Sequence, residues 1–343
     1  MSKWFVGMLV GVVVLGWSAA PAGATMPGFV GKIAVTRGDI WVMNPDGSNA
    51  TDITNEYVYP SGPGGPGADF CGASWSPNGA QIAYLREPNS PLPTDYGDSY
   101  YPELVVANAD GSAAHELLGP APTQDTRPNV LSCERPTWSP NGTELAYSGG
   151  GHHGGSTGWQ LFVLGADGNG VPVKISDGRG LDDDPAWSPA GGQIAFDSHG
   201  RPDSPDGIYI TTPTGGSARY LAPGLRPDWS PDGTELAVTE RSDDGTGGAH
   251  FEVVVISAAD GHTIADLGPG DNASWSPDGS KIVFDSATTR AVSTVNPDGT
   301  GLAPVTSDGQ SHQPDWQARA CDTGTSASTS GASVSLNCRL RGG

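Results

Sequence analysis

A run of carboxylates is the first place in this sequence where a ligand could bind. Asp182, Asp183 and Asp184 follow one another, and Asp177 comes shortly before them. Calcium prefers such hard oxygen ligands, although the full Asp-x-Asp-x-Asp-Gly loop is missing. No complete set of catalytic residues can be assigned, because a general acid and its partner cannot be picked by sequence from 38 acidic residues. We therefore predict no catalytic residue, no metal centre and no cofactor, with Ca²⁺ as the one ion that these aspartates could hold.

A second group of candidates is polar and stands at fixed distances before a tryptophan. Residues two apart on a strand share a face, so side chains one and three positions before each tryptophan should point the same way. We predict that they form a hydrated, mixed-charge channel mouth that contacts a partner, with water-filled channel residues and inter-strand hydrogen bonds as the alternative. The candidates are Arg135, Asp184, Arg226, Asn272 and Gln313 three residues before, Asp228 and Asp315 one residue before, and Asp271 and His312 four residues before.

The element that positions these residues is a repeat built on Trp-Ser-Pro-Asp-Gly. Each copy is followed by a short apolar run such as Ile282-Val283-Phe284, so that the unit reads as strand, tight turn, strand. The copies are spaced 41 to 63 residues apart, a period that is typical of propellers or solenoids. We predict that the tryptophans fill the space between units. They are Trp75, Trp138, Trp187, Trp229 and Trp275, and a sixth copy stops at Trp316.

The order of strands within the repeats predicts an all-β fold. Runs of four to six residues rich in Val, Ile and aromatics alternate with Pro-Asp-Gly turns, and no useful stretch has helical periodicity. Five units carry four strands, while Ile33 to Thr54 carries three and Trp316 carries one. We predict a six-bladed β-propeller of four-stranded antiparallel blades, closed by pairing the Trp316 strand with the N-terminal strands.

These repeats resemble the TolB-type β-propeller repeat. The shared pattern is Pro-x-Trp-Ser-Pro-Asp-Gly, an Ile-Ala-Phe strand, an Ile-Tyr-Val-Met strand, Asn-Pro-Asp-Gly and a Leu-Thr ending; residues 229–238 and 275–284 match its first half, and residues 39–47 with 52–54 match its second. The resemblance covers about residues 31–317. It implies a six-bladed propeller that engages a ligand or partner at the channel mouth.

The two faces of such a propeller differ in their loops. Tight Ser-Pro-Asp-Gly and Asn-Pro-Asp-Gly turns lie on one face, which we call the tight-turn face. The other, the long-loop face, carries the connections between second and third strands and between blades. We predict that the partner binds there, because variable loops on a rigid scaffold usually carry function; tolerated insertions without a role are the alternative. The long connections are residues 55–70, 87–102, 119–134, 149–158, 198–207 and 241–250.

The ends of the chain differ in composition from the repeats. Lys3 precedes an apolar stretch, and Ala22-Gly23-Ala24 has the small residues that signal peptidase needs. We predict a signal peptide over residues 1–24, a propeller over 25–317 and a Ser/Thr/Gly-rich tail over 318–343. The protein is then secreted or periplasmic, with no stable membrane span after cleavage; an uncleaved anchor is the alternative.

Charge and cysteine content narrow the partners. The formal net charge of −21 repels phosphates and disfavours nucleic acid. In an exported chain the four cysteines predict two disulfides with three possible pairings, and we favour Cys71 with Cys133 and Cys321 with Cys338. We predict a monomeric, non-enzymatic propeller that binds a protein or a cell-envelope polymer. A propeller lyase or hydrolase acting on polysaccharide is the alternative.

Overall fold

The computed structural model describes residues 31–54, 70–86, 92–94, 97–99, 102–119, 129–130, 134–150, 159–243 and 249–317. No helix occurs among them, so none there could cross a bilayer. The predicted signal peptide and tail lie outside these residues, and the domain boundaries stay predictions. The strands in chain order are β1 (Ile33–Arg37), β2 (Asp39–Met43), β3 (Thr51–Asp52), β4 (Phe70–Trp75), β5 (Gln81–Arg86), β6 (Leu92–Thr94), β7 (Gly97–Ser99), β8 (Glu103–Asn108), β9 (His115–Leu118), β10 (Asn129–Val130), β11 (Thr137–Trp138), β12 (Glu144–Gly150), β13 (Gln160–Gly165), β14 (Val173–Lys174), β15 (Leu181–Trp187), β16 (Ile194–His199), β17 (Gly207–Thr211), β18 (Arg219–Ala222), β19 (Leu225–Trp229), β20 (Glu235–Asp243), β21 (Ala249–Ser257), β22 (Thr263–Trp275), β23 (Ile282–Ser286), β24 (Ala291–Val295), β25 (Ala303–Pro304) and β26 (His312–Trp316).

The strands form antiparallel sheets arranged as a β-propeller, which confirms the predicted fold class. Four-stranded sheets have the orders β26-β1-β2-β3, β4-β5-β8-β9 and β15-β16-β17-β18. A five-stranded sheet combines β10 to β14, β6 pairs with β7, and a seven-stranded sheet runs from β19 to β25. The last arises because β22 is continuous and pairs with β21 through its first half and with β23 through its second. The sequence predicted two separate strands there, and the count of six blades stays a prediction.

Ring closure follows the predicted pairing. Ile33 pairs with Trp316, Ala34 with Asp315 and Thr36 with His312. Beyond the Ile33–Trp316 pair, Gln317 N donates to Lys32 O at 2.8 Å. The first and last described strands therefore share one sheet, and the ring has no exposed sheet edge at this seam.

Tryptophans hold neighbouring sheets together. Trp75 packs in one buried cluster with Ile40 of β2 and Tyr84 of β5, and Trp316 packs with Val283 of β23 and Val35 of β1. Trp138, Trp187, Trp229 and Trp275 occupy four further clusters in the same way. Two indole N–H groups also donate to the preceding repeat, Trp138 to Ser74 O at 3.1 Å and Trp229 to Ala186 O at 3.0 Å. Trp138 and Trp229 thus combine apolar packing with a hydrogen bond to the neighbouring sheet.

Cys71 is disulfide-bonded. Cys133, Cys321 and Cys338 lie outside the described residues, so both favoured pairings stay predictions. A Cβ added at Gly72 would lie 3.0 Å from Cα of Arg135. The backbone beside Cys71 is therefore close to the segment that follows Cys133.

Candidate functional site

Five of the six residues that stand three positions before a tryptophan share an unusual backbone, and Arg135 is the exception. Asp184, Arg226, Asn272 and Gln313 have φ between 46° and 54°, and Gly72 has φ 61°. The strand pairing shifts at the same point, for example between Asp271 and Ser274 of β22. Holding a residue other than glycine in this left-handed region costs roughly 1–3 kcal/mol. Asp184, Arg226, Asn272 and Gln313 line one small cavity at the centre of the ring, together with Arg135.

Two arginines fill the centre of the ring. Arg226 Nη1 lies 2.7 Å from Asp271 Oδ2, and its Nε lies 3.6 Å from Asp184 Oδ2 and 3.9 Å from Glu134 Oε2. Arg135 Nη1 lies 2.8 Å from Asp315 Oδ1. Because several carboxylates face each guanidinium, the pKa of each arginine, already high, is raised further despite burial.

The ion pairs leave little open space in the channel. The cavity between Glu134, Arg135, Asp184, Arg226, Asn272 and Gln313 has a volume of about 20 Å³. One water molecule needs roughly 10–15 Å³ of such volume. Candidate residues of both charges lie together here, but at this level the channel has room for about one water, so a ligand would have to displace the ion pairs to enter. Contact of these residues with a partner stays a prediction.

Residues one position before each tryptophan bond to the next inner strand. Asp315 Oδ2 accepts a hydrogen bond from Trp75 N, and Asp228 Oδ2 accepts one from Trp275 N, both at 2.8 Å. Ser274 Oγ accepts from Trp316 N at 3.2 Å. Asp228 and Asp315 therefore have the structural role that the sequence left open as the alternative to partner contact.

Burial perturbs several carboxyl groups around this centre. It raises the pKa of Asp228 to about 7, although Arg135 nearby opposes the rise. Burial likewise raises the pKa of Asp183 to about 7 and that of Asp285 to about 6. The pKa of Asp184 is raised well above its ordinary value, mainly by burial and then by Glu134. Carboxyl groups with raised pKa values occur both at functional sites and in structural networks of ion pairs, so the raised pKa values alone do not distinguish the two.

Asp271 and His312 reach a second, larger cavity on the long-loop face. This groove has a volume of about 480 Å³. Its walls come from the start of β21, the middle of β22, the turn between β23 and β24 and the segment before β26. Sequence reasoning did not find three of its residues, Phe251, Asp285 and Arg290. Asp285 had a signal, since an acid directly follows the second-strand aromatic residue both there and at Asp197.

The tight-turn face also carries a concave surface, which the sequence did not predict. A depression of about 260 Å³ lies at that end of the channel, with Asp228 and Asp315 among its lining residues. The repeated Trp-Ser-Pro could have indicated this ring of side chains. Its walls carry Trp75, Trp138, Trp187, Trp229, Trp275, Trp316, Pro77, Pro140, Pro189, Pro231 and Pro277.

The aspartate run considered for Ca²⁺ is divided between two neighbourhoods. Arg201 Nη1 lies 2.9 Å from Asp177 Oδ2, and its Nη2 lies 2.9 Å from Asp182 Oδ1. The guanidinium carbon also lies 4.3 Å from the centre of the Tyr209 ring. Asp184 instead faces the channel. A guanidinium therefore occupies two of the four carboxylates, and the described residues contain no group of three or more His, Cys, Asp or Glu that could hold a metal.

Comparisons with known proteins agree on the fold. The family model described as TolB beta propeller domain matches residues 124–320, more than half of the 343-residue chain. Over 123 residues the chain is 32% identical to the uncharacterized peptidase YuxL of Bacillus subtilis (strain 168), a stretch that is 34% of this chain and 18% of that protein. The chain thus spans less than a fifth of that relative's length.

Among solved structures, the chain is similar to TolB from Acinetobacter baumannii, with a TM-score of 0.62 and 17% identity over 86% of this chain and 69% of that one. It is also similar to a putative TolB from Agrobacterium tumefaciens, with a TM-score of 0.54 and 16% identity over 80% and 88% of the two chains. A chain of the nidogen/laminin complex gives a TM-score of 0.58 and 11% identity over 84% and 99%. At these identities the likeness shows the fold alone.

Proposed function

The chain belongs to the TolB β-propeller domain family, and from that premise we propose that it is an exported, non-enzymatic propeller that binds a protein or a cell-envelope polymer through its long-loop face. We also propose six blades. The support for six is that β22 contributes to two sheets and that a tryptophan-centred cluster lies between each successive pair of sheets.

One observation on the long-loop face supports the binding role most directly. Trp159 directly precedes β13 and Leu181 begins β15 of the next sheet. Their backbones come close where Asp182 N donates to Trp159 O at 2.8 Å. Their side chains are 40% and 45% exposed. Large apolar side chains left together on a surface are typical of a docking site, with tryptophan especially favoured at interfaces.

The enzyme alternative has weaker support. Asp183 and Asp228 with pKa values near 7 could exchange protons. Asp228 lines the depression of about 260 Å³ on the tight-turn face, which is below the ~300 Å³ at which small-ligand sites usually begin. The relative that is named a peptidase suggests a second class of enzyme, a peptidase. The one Gly-x-Ser-x-Gly string here, residues 154–158, lies outside the described residues, so no nucleophile geometry supports that reading.

The proposal is tested by capture from envelope extract. Wild-type protein is immobilised, and retained protein and glycan are quantified beside the Trp159→Ser/Leu181→Ser double variant. We expect that variant to lose most of the captured material. The matched control is Val173→Ser/Leu302→Ser, which removes two exposed apolar side chains away from this face, 59% and 37% exposed. Equal capture by all three proteins would sink the assignment to the long-loop face.

A further inference from the structure

The groove on the long-loop face exists because neighbouring hairpins differ in length. Val253 of β21 and Phe284 of β23 pack in one cluster. Beyond Val253 the β20–β21 hairpin adds four more residue pairs, out to Asp243 with Ala249. Beyond Phe284 the β23–β24 hairpin adds only two. At about 3.4 Å per residue, the longer hairpin rises ~7 Å above its neighbour. The step between them is one wall of the groove.

Phe251 lies on that step, outside the buried cluster formed by its neighbours in the described part of the chain. Alternation places it on the same face as Val253 and Val255, which are fully buried against Trp275 and Phe284. β23 ends at Ser286, so the layer that covers the two valines does not reach Phe251. Its side chain is 39% exposed. The groove therefore offers the flat ring of a phenylalanine to an apolar surface of a ligand.

Opposite the phenylalanine wall, the short hairpin carries a cation. Arg290 is exposed at the tip of the β23–β24 turn, in the left-handed region with φ 55°. Among the described residues it takes part in no ion pair. A guanidinium presents several N–H donors in a fixed plane and can bond two adjacent oxygens at once.

The floor supplies an acceptor. Asp285 Oδ2 accepts hydrogen bonds from Asn272 Nδ2 at 2.9 Å and from Gln313 N at 3.0 Å. Its other oxygen, Oδ1, is buried and has no partner in the described part of the chain. Neighbouring Asp271 differs, because Arg226 and Thr239 already bond to its two oxygens. Asp285 lines the groove, but Oδ1 itself has almost no accessible surface. A ligand hydroxyl would reach it only after the carboxylate turns toward the groove, and the new hydrogen bond would then satisfy an otherwise costly buried acceptor.

We infer that this groove binds an uncharged pyranose unit of a cell-envelope polysaccharide, with an apolar face of the sugar ring on Phe251, hydroxyl oxygens facing Arg290 and a hydroxyl donor facing Asp285. A sugar ring combines one apolar face with vicinal groups that donate and accept, which is the combination this groove presents. The volume of about 480 Å³ falls within the 300–1,000 Å³ usual for small-molecule sites. The net charge of −21 disfavours a polyanion. This inference rests on the proposed function, since it names the chemistry of one partner of the same face.

The test is isothermal titration of the purified protein with cellobiose, lactose, mannobiose and N,N′-diacetylchitobiose. We expect at least one disaccharide to bind with a Kd of roughly 1 mM or tighter. Phe251→Ala and Arg290→Gln should each weaken that binding at least about tenfold. Leu302→Ala and Arg219→Gln remove a similar apolar side chain and a similar exposed cation elsewhere, and should change it by less than about twofold. Melting temperatures within ~2 °C of wild type exclude misfolding as the cause.

Four results would overturn the inference. The first is no heat with any of the four disaccharides. The second is binding that both groove variants leave unchanged, and the third is tighter binding of digalacturonate than of every neutral sugar. The fourth is tighter binding of a tri-glutamate peptide, which would make the groove a peptide site. Failure of the proposed docking role of the long-loop face would give a different result. Sugar binding would still be weakened by Phe251→Ala, but the Trp159→Ser/Leu181→Ser variant would capture as much material from extract as wild type.

Discussion

Replacing Asp228 by asparagine should change the stability of the protein in a pH-dependent way. Burial raises the pKa of Asp228 from the ordinary 3.8 to about 7 in the folded state. Between these two values the folded protein binds a proton that the unfolded chain has lost. Stability is therefore greatest at the acid end of this window and falls as pH rises toward 7. Asparagine keeps an oxygen to accept the hydrogen bond from Trp275 N and cannot ionise.

The size of the effect follows from the shift. About three pKa units correspond to ~4 kcal/mol at 1.36 kcal/mol per unit. Asp228 is partly exposed to the depression on the tight-turn face, so solvent screening reduces the expected effect to about 2 kcal/mol. Urea unfolding followed by tryptophan fluorescence should show the variant already slightly more stable than wild type at pH 5, by roughly 1 kcal/mol or less, because the unfolded chain is largely ionised at this residue there. At pH 8 the variant should be the more stable by about 2 kcal/mol.

Asp232→Asn is the matched control, because this aspartate lies in a tight turn and its pKa is lowered by the hydrogen bond from Thr234 N. Asp232 is ionised in both states at pH 5 and at pH 8, so its substitution should have the same effect at both. The reasoning about Asp228 would be refuted by a pH-independent difference, or by a wild-type protein that gains stability between pH 5 and pH 8.

Three further substitutions test other features. Gly72→Ala places a Cβ 2.9 Å from Glu134 O at φ 61°, and should destabilise by about 1–3 kcal/mol in urea unfolding; an unchanged midpoint would contradict the close approach. Arg201→Met leaves Asp182, which is fully buried, without its cation, and should lower the free energy of unfolding by about 3–5 kcal/mol, whereas a neutral result would show that the pair is dispensable. Arg290→Gly relieves the left-handed strain and should stabilise by about 1 kcal/mol while weakening sugar binding in the same way as Arg290→Gln; a destabilised Arg290→Gly protein would show that the turn needs the side chain.

The fold could be predicted from sequence because its signals are local and repeated. Trp-Ser-Pro-Asp-Gly combines a large buried side chain with a tight turn, and the lone Trp316 had to pair with the orphan strands near Ile33. Counting back from each tryptophan also selected five residues that line the central cavity, Arg135, Asp184, Arg226, Asn272 and Gln313. Their ion pairs were not predicted, since the pair of Arg226 with Asp271 joins residues 45 positions apart, and no local preference encodes that contact.

The groove could not be predicted at all. Phe251 looks in sequence like one more residue of a Val-rich strand, and its exposure depends on where β23 ends in a neighbouring sheet. Arg290 looks like an ordinary turn residue. Both become notable only when two hairpins of unequal length are placed side by side.

The seam between β1 and β26 determines how the protein would respond to mechanical force. Ile33, at the start of β1, pairs with Trp316, at the end of β26, so the chain before residue 31 and the chain after residue 317 leave the ring at one point. Tension applied between those two segments would load the end pair first and peel the strands apart one bond at a time, because the strands are antiparallel. A load carried through only one of the two segments would not act across the pairing of β1 with β26. Attachment of the protein at one end would therefore leave this pairing intact, whereas tension between attachments at both ends would open it.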